Sequence, residues 1–269
     1  MTELEAAGNT GSNNTRKAAV LQIEHHGQVV VLTMNRPEQR NALNRELRTA
    51  LRQAFDSFEE DPALRCAVLT GNGPAFCAGA DLKEMAAIGT SEPGREAIVT
   101  LGSNGKLSKP VIAAVNGYAM AAGFRLAQDC DLAIAADTAQ FAVSEVKRGR
   151  GSPWAVPLIS MLPKRIMMEL LITGETIDAG RAYEVGLVNQ VVPAEGLLDS
   201  ALRVAEIIAH NAPLSVWAAK QMVEMAAEHG QDAASRAAHH IYHRVYASQD
   251  AAEGPRAFAE KRRPIWSGR

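Results

Sequence analysis

Apolar and polar positions follow two regimes along this chain. Up to about residue 194 short apolar runs alternate with helical stripes, and beyond it an Ala-rich helical pattern takes over. Val20-Leu21-Gln22-Ile23-Glu24 and Val29-Val30-Val31-Leu32-Thr33-Met34 flank His25-His26-Gly27-Gln28, which predicts a hairpin. Behind Asn44, Leu47, Leu51, Ala54, Phe55 and Phe58 recur at helical spacing, so a capped helix with a core-facing stripe is expected. Cys66-Ala67-Val68-Leu69-Thr70 reads as a strand. Val111-Ile112-Ala113-Ala114-Val115, opened by Pro110 and closed by Asn116-Gly117, reads as a strand buried on both faces. Glycines and prolines at 89, 93, 94, 102 and 105 interrupt any helix across residues 85–107. Further strands are expected over 131–136, 140–143 and 187–192, and helices over 165–172 and 178–185. Three breaks, near Pro213, Gly230 and Gly254, divide the C-terminal helices.

Two stretches depart from this alternation in the same way. After the strand ending at Thr70 comes Gly71-Asn72-Gly73-Pro74-Ala75-Phe76-Cys77-Ala78-Gly79-Ala80-Asp81, leading into a helix start at Leu82. After the strand ending at Val115 comes an Asn-Gly turn, the small residues 119–123, and a run from Phe124 to Asp129 that can continue as a helix. The first N–H groups of such a helix have no intrahelical partner and favour negative charge. Two such loops, each supplying one N–H to a single oxygen, make an oxyanion hole.

Composition narrows the function classes. The chain has 269 residues, 47% hydrophobic and 22% charged, with a formal net charge of −2, so it can bury one large core plus a helical appendage and has no global attraction to nucleic acid or anionic membrane. Residues 1–17 are polar and without periodicity, and they contain neither a secretory apolar core nor an Arg-rich amphipathic transit helix. They are expected to form a disordered tail, and the protein to be cytoplasmic. The cysteines, Cys66, Cys77 and Cys130, fall in or beside predicted strands without paired spacing and read as small core residues. The histidine pairs and triples at 25–26 and 239, 240, 243 read as polar surface, so no metal site is expected.

Ala75-Phe76-Cys77-Ala78-Gly79-Ala80-Asp81-Leu82 and residues 109–123 closely resemble the two signature segments of the crotonase (enoyl-CoA hydratase/isomerase) superfamily. The likeness extends from about Val20 onward, through Asn35-Arg36-Pro37, Asn41-Ala42-Leu43-Asn44, Gly186-Leu187-Val188-Asn189 and Phe258-Ala259-Glu260-Lys261-Arg262. It implies an α/β fold, a spiral of strand-strand-helix turns over residues 18–194, with a C-terminal helical region over 195–269 used for oligomerisation. It also implies chemistry on a coenzyme A thioester, with no cofactor beyond the coenzyme A of the substrate. By the same resemblance the oxyanion donors are the amides of Ala80 and Ala122, and Glu145 moves the proton. Arg40, Ala42, Ala78, Asp81, Leu82 and Lys261 are the residues expected along coenzyme A. The partners implied are an acyl-CoA and further copies of the chain, as a trimer or hexamer.

Two positions leave the family pattern. Where hydratases carry a first glutamate this chain has Arg125, either a surface arginine or a pocket group that holds Glu145 ionised or clamps a substrate carboxylate. That leaves a one-glutamate isomerase-like reaction, a decarboxylase or dehydratase of a carboxylated acyl-CoA, or a non-catalytic acyl-CoA- or RNA-binding homologue as readings. Where many relatives have a glycine-rich loop, this chain has Lys147-Arg148-Gly149-Arg150-Gly151-Ser152-Pro153-Trp154, whose charge is read as solvated or facing substrate.

Overall fold

The computed structural model describes residues 18–89, 100–102 and 107–269; the expected N-terminal tail and most of the interrupted segment at 85–107 lie outside these. Among the described residues the strands form two sheets. The larger runs β1 (Leu21–His26), β2 (Val29–Met34), β3 (Cys66–Gly71), β5 (Val111–Val115), β7 (Leu132–Ala136) and β10 (Gln190–Val192) in that spatial order. The smaller runs β4 (Ala75–Cys77), β6 (Tyr118–Met120), β8 (Gln140–Ala142) and β9 (Ile177–Asp178). The hairpin β1–β2 and the β8–β9 pair are antiparallel, and the remaining pairings are parallel. Each of β3–β4, β5–β6 and β7–β8 places one strand in each sheet, and the first two of these pairs are followed by helices α2 (Leu82–Ile88) and α3 (Ala122–Asp129). This is the strand-strand-helix spiral of the crotonase fold.

The strands of the large sheet are apolar at nearly every position because both faces are covered. Val30, Leu32, Ala67, Leu69, Val111, Ala113 and Val115 join the core on one face, where α1 (Arg45–Glu60) adds Leu47, Leu51, Phe55 and Phe58. Asn44 caps α1, its side chain accepting from the Leu47 N–H at 3.0 Å. Each of those fully buried side chains contributes about 2 kcal/mol relative to exposure, and truncating Phe55 to alanine costs about 3–5 kcal/mol. The alternate residues Val29, Val31, Cys66, Val68, Ile112, Ala114 and Ile134 face the other way. There α7 (Leu197–Ala209) covers them with Leu197, Ala201, Ala205 and Ala209, spaced four apart on one helical face.

Between α3 and α7 lie α4 (Leu158–Met161), α5 (Lys164–Thr173) and α6 (Ala179–Glu184). α8 (Pro213–His229), α9 (Gln231–Tyr246) and α10 (Gln249–Ala259) complete the chain. Several elements differ from the sequence expectation. β4 and β6 sit inside what read as loops, because their three-residue runs pair with each other across more than forty positions of sequence. Only Gln190–Val192 of the expected 187–192 strand pairs with β7, and the Asn189 side chain takes the Ala133 N–H at 2.8 Å instead. The break expected near Gly254 falls at Ser248, which caps α10; α10 then runs through Gly254 and Pro255, and Gly254 admits the Trp266 ring of the C-terminal tail, 3.5 Å from where a Cβ would stand. The cysteines are free and buried, and burial pushes the Cys66 and Cys77 thiols up to about 12. No helix among the described residues is long and apolar enough to cross a membrane.

Candidate active site

Two strand-to-helix turns form the centre of the site. β4 leads through Ala78-Gly79-Ala80 to Asp81, which caps α2 by accepting from the Lys83 and Glu84 N–H groups. β6 leads through Ala121 to Ala122, the first residue of α3. The turns press together so closely that Gly123 admits no side chain: a Cβ there would stand 2.1 Å from the Cys77 carbonyl oxygen. Gly79, at φ +95°, has the same constraint from Met120 O at 2.9 Å, and its Cβ position lies 3.5 Å from the Ala122 nitrogen.

Backbone geometry decides where the amides point. Leu43 donates to Gly79 O at 2.8 Å and accepts from Asp81 N at 3.3 Å, a parallel bridge opposite Ala80. Both bonds to Leu43 come from the neighbours of Ala80, so the N–H of Ala80 itself projects from the opposite edge, because successive groups of an extended chain alternate sides. Ala122 opens α3, where an N–H has no partner within the helix. Ala121 is held by its N–H bond to Ala142 O at 2.9 Å and adopts φ 52°, ψ −122°, a conformation costly for any residue with a Cβ. Two adjacent amides on rigid turns can polarise one carbonyl oxygen.

The loop before α1 is stitched to the same place. Ala78 donates to Arg40 O at 2.9 Å, and Arg36 donates to the Ala42 carbonyl and to Asp81 Oδ2, the latter at 3.0 Å. Burial pushes the Asp81 carboxyl up, but the Arg36 bond and the α2 amides prevail and hold it below the ordinary value. Asn41 is fully buried at φ 55°; its amide donates to Asn72 O and Ala75 O and accepts from Arg36 N, bracketing the loop to β4. Arg40 stays exposed, its guanidinium 5.9 Å from the Tyr118 ring centre, and Leu82 is exposed at the start of α2. The structure therefore brings Arg40, Ala42, Ala78, Ala80, Asp81 and Leu82 together. Lys261 follows α10, exposed and at φ 53°, its N–H bonded to Phe258 O, and no hydrogen bond or ion pair among the described residues joins it to that cluster.

Glu145 lies in a 3₁₀ turn, Ser144–Arg148, directly after β8. Its Oε1 accepts from the Trp154 indole N–H at 2.8 Å, and its Oε2 is buried without a partner among the described residues. Burial raises its pKa above the usual carboxylate value, against the Trp154 hydrogen bond and the charges of Arg148 and Arg150. Arg125, half-buried on α3, donates through Nε to Asp129 one turn on, at 3.1 Å. The Asp129 carboxyl is nevertheless pushed up by burial.

The sequence profile described as enoyl-CoA hydratase/isomerase matches residues 24–269. The chain belongs to the enoyl-CoA hydratase/isomerase family. Enoyl-CoA hydratase EchA19 of Mycobacterium tuberculosis is 39% identical to it over 92% of this chain and 96% of its own length. Carnitinyl-CoA dehydratase of Citrobacter koseri is 40% identical over 93% and 98%. Among solved structures, enoyl-CoA hydratase EchA1 of Mycobacterium marinum superposes with a TM-score of 0.86 at 37% identity, covering 93% of this chain and all of that one. Against this family background, two residues carry roles that the sequence does not signal. Asn41 gives only a motif letter, and the nine-residue step from Glu145 to Trp154 follows no periodicity that would mark a contact.

Proposed function

We propose that this member of the enoyl-CoA hydratase/isomerase family transforms the acyl chain of a coenzyme A thioester through an enolate. The thioester oxygen accepts from the Ala80 and Ala122 amides, which strengthen as charge moves onto it; one such donor is worth about 3 kcal/mol of barrier. Glu145 takes the proton from the carbon beside the thioester: the C–H bond breaks, an O–H bond forms, and the electron pair passes into the enolate. Reprotonation further along the chain shifts a double bond, and loss of a β-hydroxyl with a proton removes water. Arg40, exposed over Tyr118, suits the phosphates of coenzyme A, because a guanidinium matches a phosphate in charge and geometry.

What supports this reading is that the two amides lie on clamped turns and that Ala142, the strand end that holds Ala121, is followed three residues on by the partly buried carboxylate of Glu145. Arg125 cannot accept a proton, and its charge goes to Asp129, so the one-carboxylate reaction is favoured over a carboxylate clamp by Arg125. The relatives named hydratase and dehydratase keep water addition and removal as the second reading. Val223, Tyr246, Phe258 and Ile265, large and exposed in the C-terminal region, support a homo-oligomer.

A panel of CoA thioesters followed by mass spectrometry tests the assignment. Isomerisation of a 3-enoyl-CoA faster than hydration of crotonyl-CoA is the expected result; brisk crotonyl-CoA hydration overturns the one-carboxylate account, and no change in any thioester overturns the whole reading.

A further inference from the structure

The two oxygens of Glu145 are unequal. Oε1 is bonded to an indole N–H at 2.8 Å, and Oε2 is buried with no partner among the described residues. A carboxylate rotates readily about its last bond, which exchanges its oxygens unless one is anchored. A buried, unpartnered carboxylate oxygen is costly, so its persistence at a site points to a partner that arrives with the substrate.

We propose that Trp154 is a positioning residue whose indole N–H anchors Oε1 of Glu145 and so presents Oε2 as the oxygen that receives the substrate proton. The proposal rests on the reading of Glu145 as the proton-transfer group. Trp154 is itself held in place: its ring meets Phe124 of α3 edge-on at 6.1 Å and 69°, and Phe124 meets Phe141 of β8 at 5.6 Å. The aromatic chain thus ties the carboxylate to the helix whose first amide is that of Ala122, which keeps base and donor in one rigid frame. The loop closes behind the carboxylate, with Arg150 N bonded to Glu145 O at 3.1 Å and Gly149 in the left-handed region.

Among the described residues, the charged groups on the elements around the carboxylate are as follows. Arg148 and Arg150 of the same loop act on it at range, and Lys147 is paired with Glu175. Arg125 of α3 is paired with Asp129, and Lys164, Arg165 and Glu169 of α5, which packs on this turn, are exposed. The indole is the neutral donor among these groups, and a donor to the ionised form favours it.

A partly buried indole also gains from an acceptor for its own stability, so the test must separate service to Glu145 from packing. Trp154→Phe keeps the ring against Phe124 and removes the N–H. The probe is exchange of the α-protons of butyryl-CoA in D₂O, measured in wild type, Trp154→Phe, Glu145→Gln and the double variant, with butyryl-CoA affinity by calorimetry. Expected are affinity within about twofold of wild type, exchange slowed about tenfold or more in Trp154→Phe, and an acid limb moved to higher pH. In the Glu145→Gln background Trp154→Phe should have no further effect. An equal loss in both backgrounds, or no change in rate and acid limb, overturns the role of Trp154. Wild-type exchange in Glu145→Gln overturns the underlying reading of Glu145 instead. Trp154→Tyr serves the same cycle if the phenylalanine variant does not fold.

Discussion

Around Ala80 and Ala122 the chain is fixed by main-chain contacts, with Gly123 pressed on Cys77, Leu43 bridged to Gly79 and Asp81, and Ala121 bonded to Ala142. Around Glu145 it is fixed by a side chain, the Trp154 indole, reaching across a loop in which Gly149 has nothing within 4 Å of its Cβ position. The donor side therefore leaves no room for a side chain at Gly79 or Gly123, and the base side has room at Gly149 but depends on one side chain. On the proposed reading, the oxyanion geometry rests on main-chain contacts, whereas the base depends on the side chains of the Lys147-to-Trp154 segment.

The largest effect should come from deleting a donor. Ala122→Pro removes the N–H at a first helical position, where proline is tolerated, so turnover should drop about 10²–10³-fold with the fold retained. Turnover within tenfold of wild type, on any thioester that is a substrate, would show that this amide does not hold the oxyanion. Next comes the contrast in packing. Gly123→Ala forces a Cβ into the Cys77 carbonyl and should cost about 3 kcal/mol in urea unfolding, whereas Gly149→Ala meets only its φ of +62° and should cost about 1 kcal/mol. Equal costs would erase the distinction between the two sides. The smallest effect is a gain. At Ala121 the backbone strain of about 1–3 kcal/mol exceeds the extra unfolded-state entropy of glycine, about 0.4–1 kcal/mol. Ala121→Gly should accordingly raise stability by about 1 kcal/mol with turnover little changed, and a fall in stability would mean that the strain is not there to be relieved.

The difference between the sides also explains what is legible in the sequence. Main-chain sites leave a signature of small residues, so the close approach of the turns at Ala78-Gly79-Ala80 and residues 119–123, the proposed donor loops, is legible from residue type. The α1 stripe and the two-faced strands are legible because burial imposes a period. The three-residue strands β4 and β6 are not, since nothing so short shows a period and their pairing is distant in sequence. The loop arginines divide by partner: Arg36 is spent on Asp81 and the Ala42 carbonyl, and Arg40 is the exposed one. Arg125 and Asp129 stand at the i,i+4 spacing of a helical ion pair, a signal that residue spacing carries and that a search for partners of Glu145 passes over. The departure of the Trp154 loop from the family pattern is visible in its residues, but its hydrogen bond to Glu145 is a tertiary contact without a local mark.

The central claim, that Glu145 moves the α-proton of a thioester held by the Ala80 and Ala122 amides, is tested most directly by deuterium exchange into butyryl-CoA as a function of pH. Because the ionised carboxylate is the base and burial raises its pKa, exchange by wild type should fall with decreasing pH through a value above that of an ordinary glutamate. Glu145→Gln, which keeps size and loses the base, should bind butyryl-CoA normally, exchange it at least about 100-fold more slowly on the plateau above that fall, and lack the acid limb. Exchange in Glu145→Gln at the wild-type rate, with the wild-type pH profile, would contradict the account.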